Sequence, residues 1–250
     1  METVDRIIDV LEVFLSTQKG AGIVELANRS GNNASTVYRI VSTLAKRGYL
    51  VQPRKRGKYY LSPKLLTFSS VIKMSNKVRE VAHPFLIQLN SETKESVNLA
   101  ILDGNEALHV DHIVTNWDLR LVTQVGRRVP LYCTGLGKVF LANMTDYELR
   151  SYLNSQNLIR YTPNTITRIE QLKKELALIR HRGVAIDNEE LERGVRCVAS
   201  PVTTVTGYTI ACVSVSGPSA RINGPTELFL ESAVKKCARK ISQELGYMNE

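Results

Sequence analysis

Nine lysine and arginine side chains fall within residues 20–64, where Glu25 is the one acid. The net charge of this segment is +8, whereas the whole chain carries +9 and residues 81–250 hold 19 basic against 18 acidic side chains. Cations concentrated in one stretch are typical of a surface that binds phosphates. A solvated lysine-rich face would spread the charge and mix acids in. The sequence therefore predicts that the amino-terminal part of the chain binds nucleic acid.

Apolar residues at helical spacing predict three helices before residue 47. The turn between the second and third is only a few residues long and contains Gly31, as in a helix-turn-helix. In that motif the exposed face at the start of the third helix enters the major groove of DNA. Here that face would carry Ser35, Thr36, Tyr38, Arg39 and Thr43.

Two β-prone runs, residues 49–51 and 59–61, flank a turn that is rich in cations. Hairpin tips seldom collect this much like charge without a counter-charge, because the side chains repel one another. A wing that lies along a phosphate backbone explains the pattern, and the segment is therefore predicted to be a winged helix-turn-helix. The wing cations are Arg54, Lys55, Arg56 and Lys58.

Beyond the wing, helical spacing at residues 64–74 and 81–92 predicts connecting helices, with Pro84 breaking or restarting the second. From residue 96 the pattern changes to short β runs separated by helices, which predicts an α+β fold with an antiparallel sheet. The expected strands are 97–102, 107–113, 119–125, 184–186, 195–202 and 208–215, and the expected helices are 135–143, 147–153, 169–182 and 225–245. Such a layout leaves room for a small-ligand cleft beside a helix start.

Three patches in this second half contain side chains suited to ligand chemistry. Residues 130–138 end in Gly-Leu-Gly-Lys, but a phosphate loop would need glycine and serine or threonine where the chain has Tyr132 and Val139. Free N–H groups at such a helix start would still suit a carboxylate. Acids at 187–190 precede Cys197, which leaves open a metal site, a cysteine nucleophile or a solvated loop. Ser214 and Ser216 alternate on a strand and would share one face.

Other residue patterns bound the class of protein. His109 and His112 are expected on opposite faces of a strand, so they are not predicted to bind metal, and no cofactor is expected. The four cysteines form no Cys-x-x-Cys pair and fit neither a zinc ribbon nor a disulfide framework. No stretch approaches the ~18 apolar residues of a membrane span, and the amino terminus does not resemble a signal peptide. We therefore expect a cytoplasmic protein with no membrane partner.

Together these motifs resemble the IclR-type transcriptional regulators, the family named for the isocitrate lyase regulator. Besides the winged-helix start, the matching segments are residues 134–138, 183–190, 194–202 and 215–218, in the family's order. The resemblance covers essentially the whole chain. It implies a winged helix-turn-helix domain at 1–62, a linker helix at 63–80 and a GAF-like effector domain at 81–250. It also implies a homodimer or homotetramer that binds double-stranded operator DNA and acts as a repressor, an activator or both, and we expect a repressor.

The resemblance further implies an effector pocket formed by backbone groups and side chains of the second domain. Its effector would be a small organic acid, which Asp187 would repel unless it is protonated or accepts a hydrogen bond from the ligand. Carried over by position, the pocket residues are Gly135, Leu136, Asp187, Cys197, Ser214 and Ser216, with apolar wall residues Leu121, Val129 and Val195.

Two other interpretations remain open from the residues alone. One is an enzyme with Cys197 or Cys133 as nucleophile and an accessory basic domain. The other is a sensory module whose amino-terminal domain binds a protein. The leading hypothesis is a regulator without enzymatic activity, whose operator affinity is switched by the effector.

Overall fold

The structure, a computed structural model, describes residues 3–17, 20–54, 57–69 and 73–246. The chain divides into two compact units, Met1–Lys73 and Met74–Glu250. We call them the amino-terminal unit and the carboxy-terminal unit and describe each by itself.

The amino-terminal unit contains three helices and a short hairpin. The helices are α1 (Thr3–Val13), α2 (Ile23–Ser30) and α3 (Ala34–Lys46), and the strands are β1 (Leu50–Val51) and β2 (Tyr60–Leu61). Their apolar faces meet in one core that includes Val10, Leu26, Val37 and Leu50. Gly31, at φ +66°, turns the chain from α2 into α3. The predicted three helices and hairpin are confirmed.

An isolated bridge between Ala21 and Tyr59 attaches the segment before α2 to the hairpin. Gly20, just before it, has φ +70°, and a Cβ there would lie 2.5 Å from the ring of Tyr60. Only glycine fits this approach, so Gly20 allows the segment between α1 and α2 to pack against the hairpin.

Two helices follow the hairpin, α4 (Leu66–Ser69) and α5 (Lys73–Thr93). Pro84 lies inside α5, so the predicted break at this residue is wrong. Proline has no N–H to donate to the carbonyl one turn earlier in the helix. Because Pro84 lies on the exposed side of α5, that carbonyl can bond to water instead. Part of the predicted first connecting helix, residues 70–72, lies outside the described residues.

The carboxy-terminal unit is built on a six-stranded sheet in the order β5-β4-β3-β8-β7-β6, and all neighbours are antiparallel. The predicted α+β class is confirmed. The strands are β3 (Ser96–Asp103), β4 (Glu106–Ile113), β5 (Arg128–Pro130), β6 (Ala185–Asn188), β7 (Val195–Thr203) and β8 (Thr209–Pro218). The helices are α6 (Gly135–Asn143), α7 (Asp146–Ser155), α8 (Ile169–Arg182) and α9 (Gly224–Glu244).

Each face of this sheet has its own core. On one face α5 and α9 bury Leu86, Val234 and Ile241 against strand residues such as Leu99. On the other, α6 and α8 pack with alternate residues of the same strands. The described part of the chain contains no helix long and apolar enough to cross a membrane.

The strand predicted at residues 119–125 is wrong. This segment is a loop whose backbone bonds to side chains rather than to a neighbouring strand. The carbonyl of Leu121 accepts from Ser96 Oγ at 2.7 Å, that of Leu119 accepts from Arg221 at 3.0 Å, and Thr123 N donates to a histidine. Because these side chains bond to the backbone groups of the loop, the loop does not pair with a strand, and β5 begins only at Arg128.

Candidate functional sites: a buried cavity and a basic surface

A cavity lies between the sheet of the carboxy-terminal unit and the start of α6. Residues from all six strands and from the loop at 114–127 line it. All nine residues predicted for the pocket line it. Its wall consists of Asn98, His109, Leu121, Thr123, Arg127, Val129, Thr134, Gly135, Leu136, Asp187, Leu191, Glu192, Val195, Cys197, Ser214 and Ser216. The structure thus brings together segments that are up to about 120 positions apart in the chain.

The start of α6 presents backbone donors to this cavity. Thr134 caps the helix, since its hydroxyl accepts from Gly137 N at 3.1 Å. A Cβ on Gly137 would lie 2.3 Å from Leu131 Cα, and one on Gly135 would lie 3.2 Å from Cys197 Sγ. Gly135 therefore lets the helix approach β7 closely, and Gly137 lets it approach the turn that precedes it. The N–H groups of Gly135 and Leu136 have no partner within the helix, which makes this end suited to an anion.

Lys138 does not face the cavity as a phosphate-loop lysine would. Its side chain is 1% exposed, and Nζ donates to Glu190 at 2.5 Å, to Ile186 O at 2.6 Å and to Glu175 at 3.2 Å. These carboxylates hold the pKa of Lys138 above its ordinary value although burial lowers it. The ammonium group therefore anchors the segment after β6 to α6, beneath the cavity.

Asp187 and Cys197 face each other across β6 and β7. Burial is the main cause that raises the pKa of Asp187 to about 7, and Glu190 N donates to its carboxylate at 2.8 Å. Near neutral pH a large fraction of this carboxyl is therefore uncharged, which reduces its repulsion of an acid. Burial also raises the pKa of Cys197 to about 11, so its thiol remains protonated.

Ser214 and Ser216 point to the same face of β8, as predicted. Asn98, on the neighbouring strand β3, donates from Nδ2 to Ser214 Oγ at 3.3 Å and to Ser216 Oγ at 3.2 Å. Asn98 is 1% exposed and lines the cavity. No motif pointed to it, because its role depends on strand pairing across 116 positions of sequence.

The expectation that His109 and His112 face opposite sides is wrong. His112 pairs with Asn98 and His109 with Ala100, with a bulge at Val110 between them. Because the bulge adds one residue between them, the side chains of both histidines lie on the same face of the sheet. Burial lowers the pKa of His109 to about 4, so it is neutral in the cavity wall. Among the described residues, no three His, Cys, Asp or Glu side chains are grouped to hold a metal ion.

Further wall residues were missed by the sequence argument, namely Thr123, Arg127, Leu191 and Glu192. Arg127 and Glu192 are exposed and stand at the mouth, whereas Thr123 is buried. They lie in loops, where neither periodicity nor a motif marks the direction of a side chain. The loop at 114–127 is nevertheless fixed by the hydrogen bonds described above.

In the amino-terminal unit, α3 exposes the predicted contact face. Ser35, Tyr38, Arg39 and Thr43 are exposed and Thr36 is half-buried. Asn33 caps the helix, because its Oδ1 accepts from Thr36 N at 2.8 Å and from Ser35 Oγ at 2.9 Å. The cap thus shapes the end of α3 that carries the hydroxyl side chains.

The wing adds Arg54 and Lys58, both exposed, while Lys55 and Arg56 lie outside the described residues. Gln52 Nε2 donates to Gly57 O at 2.9 Å and closes the turn. Glu25 lies 3.9 Å from a nitrogen of Arg29 and of Lys58, in solvent-exposed pairs that contribute little energy. The basic surface is therefore largely uncompensated.

Comparison with known proteins identifies this combination of units. A family model described as the IclR helix-turn-helix domain matches residues 3–54, and one described as the bacterial transcriptional regulator IclR C-terminal region matches residues 71–243. The chain belongs to the IclR family. It is a DNA-binding transcriptional regulator.

Individual relatives of this IclR-family chain match along nearly its whole length. KdgR of Escherichia coli (strain K12) is 34% identical over 248 residues, which cover 97% of this chain and 94% of KdgR. XynR of the same organism is 30% identical over 247 residues, covering 99% and 98%. The crystal structure of Thermotoga maritima IclR aligns with a TM-score of 0.82 at 32% identity, covering 98% of this chain and 99% of that one.

Proposed function

We propose that this regulator binds a small organic acid in the cavity of its carboxy-terminal unit and that the acid changes its affinity for operator DNA. The observation that carries this is the convergence of separate segments on one buried space lined by donors. The α6 start, Ser214 and Ser216 offer hydrogen-bond donors, and the wall includes a carboxyl, Asp187, whose pKa is raised to about 7.

The cavity is large enough for a small aliphatic keto or hydroxy acid. Its open space is about 60 Å³, several times the ~10–15 Å³ that one water requires. A few non-hydrogen atoms fit this space without rearrangement. Leu121, Val129 and Val195 would contact the carbon skeleton, and Arg127 at the mouth would attract the anion.

For DNA, we propose that α3 lies in the major groove and that the wing contacts the phosphate backbone. The contact residues would be Ser35, Thr36, Tyr38, Arg39, Thr43, Arg54, Lys55, Arg56 and Lys58. Short hydroxyl side chains allow the helix to approach phosphates, and Arg39 reaches a guanine edge or a phosphate. The division into 1–62, 63–80 and 81–250 assigns DNA binding, linkage and effector binding to successive parts of the chain.

Repression by a homodimer or homotetramer in the cytoplasm completes the proposal, since paired subunits match a palindromic operator. An enzymatic role is disfavoured by the two candidate nucleophiles themselves. Burial raises the pKa of Cys133 to about 12 and that of Cys197 to about 11, which leaves both as thiols at neutral pH. Turnover of an acid that is lost in Cys197→Ala would favour the enzyme instead.

Fluorescence anisotropy with the DNA upstream of the protein's own gene tests both halves. Arg39→Ala with Arg54→Ala is expected to abolish specific binding, while a thermal-shift response to the effector persists. An acid that binds should change operator affinity five- to hundredfold, the usual range of coupling between two sites. Normal DNA binding by the double variant would contradict the assignment of the basic surface.

A further inference from the structure

A chain of hydrogen bonds behind the cavity begins at a backbone N–H and ends at the two serines. Thr123 N donates to His112 Nε2 at 3.3 Å, and His112 Nδ1 lies 2.8 Å from Asn98 Oδ1. Asn98 then reaches Ser214 and Ser216. The four side chains stand side by side because His112, Asn98 and Ser214 are register partners on β4, β3 and β8.

The direction of every bond in this chain follows from its first member. A backbone N–H only donates, so Nε2 of His112 accepts and the imidazole is neutral with its proton on Nδ1. That proton must be donated to Asn98 Oδ1, which fixes the amide with its NH₂ group toward the serines. Burial lowers the pKa of His112, which agrees with a neutral ring.

The consequence for the serines is that both oxygens accept from Asn98. Each hydroxyl proton then points away from Asn98 into the cavity, where it can be donated to Cys197 Sγ or to a ligand and where Gly135 and Leu136 present N–H groups. Four donors therefore converge on one end of the cavity. A carboxylate satisfies them with its two oxygens, whereas the NH₂ of an amide would oppose one of them.

We propose that Asn98 and His112 are positioning residues that hold Ser214 and Ser216 as donors and thereby make the cavity select carboxylates over the corresponding amides. His112 does not line the cavity and acts through Asn98. Because the organic-acid effector is itself proposed above, the test has one arm that needs no ligand.

The first arm measures the histidine tautomer in the full-length protein by ¹⁵N long-range NMR correlation. The chain has four histidines, and His112→Gln identifies the signal of His112. The expected form at neutral pH carries the proton on Nδ1. A proton on Nε2 would reverse the bonds and overturn the assignment whatever ligand binds.

The second arm compares Asn98→Asp with the wild type. Aspartate still accepts from His112, but it also accepts from the serines, so their protons turn away from the cavity, and its own charge adds to the loss of affinity for an acid. Calorimetry with pyruvate and pyruvamide, and with lactate and lactamide, should show acid affinity falling at least tenfold while amide affinity changes less than about threefold. Asn105→Asp, the same change in the exposed β3–β4 turn, should leave both affinities unchanged.

The outcomes separate the two levels of inference. Retention of the wild-type preference for acids in Asn98→Asp would show that the serines do not depend on Asn98, and the positioning role would fail. Failure of the wild type to bind any of a wider panel of small acids would instead contradict the proposed effector class, and with it the selection of carboxylates. In that case the tautomer still decides whether the hydrogen-bond chain runs as described.

Discussion

The two units differ in where their charged side chains lie and in whether those side chains are paired. In the carboxy-terminal unit the side chain of Lys138 is 1% exposed and forms ion pairs with Glu175 and Glu190. In the amino-terminal unit the described cations of α3 and the wing, Arg39, Lys46, Arg54 and Lys58, are exposed, and Glu25 lies no closer than 3.9 Å to either of its basic partners. Buried charges cost stability unless they are paired, whereas exposed cations remain free for a ligand. Charge therefore shapes a cavity in one unit and a binding surface in the other.

The largest effect expected from this contrast is at Lys138. Lys138→Ala leaves Glu190 buried without its cation, and we expect a loss of about 3–5 kcal/mol in the free energy of unfolding of the carboxy-terminal unit. Lys173→Ala removes an exposed lysine paired with Glu170 at 3.1 Å and should cost less than about 1 kcal/mol. Urea denaturation followed by hydrogen exchange of each unit measures both. Equal losses in the two variants would show that burial does not distinguish these pairs.

Asp187 tests the same contrast through pH. Its folded pKa of about 7 exceeds the ordinary 3.8, so the folded state holds the proton more tightly, and the associated stability is present below pH 4 and lost as pH rises through 7. Asp187→Asn should therefore match the wild type at pH 4 and be more stable by roughly 4 kcal/mol at pH 8. Unfolding curves across this range give the difference. An acid effector should also bind the wild type more tightly as pH falls through 7, but bind the variant without this dependence.

Whether a feature could be predicted from the sequence depends on how far apart in the chain the residues that determine it lie. Helix α8 begins and ends where the spacing predicted, because apolar periodicity is local. The cavity required the family resemblance, since Gly135, Asp187 and Ser214 come together only through strand order. The loop at 114–127 was missed because side chains distant in sequence, Ser96 and Arg221, bond to its backbone. The bulge at Val110 was missed because it shows only in the register of β4 against β3.

In the exposed basic surface of the amino-terminal unit, Arg39→Ala should change operator affinity without changing the free energy of unfolding. We expect operator affinity to fall about tenfold and the salt dependence to become shallower by about one unit if Arg39 contacts a phosphate. Anisotropy titrations at several salt concentrations measure both. Arg150→Ala, which removes an exposed arginine of α7, is the matched control and should bind operator normally. A similar loss in both variants would mean that overall charge, rather than the basic surface, holds the DNA.

The smallest effect expected is at Asn33, where stability and charge can be varied separately at the start of α3. Asn33→Ala removes the acceptor for Thr36 N and should destabilise the amino-terminal unit by about 1 kcal/mol, whereas Asn33→Ser retains a cap and should cost a few tenths. Asn33→Asp also caps but adds a negative charge beside the proposed phosphate contacts. It should therefore keep its stability and lose DNA affinity, as measured by thermal unfolding and anisotropy. If Asn33→Asp bound DNA as well as Asn33→Ser, the start of α3 would lie away from the phosphates, and α3 could not enter the groove in the proposed orientation.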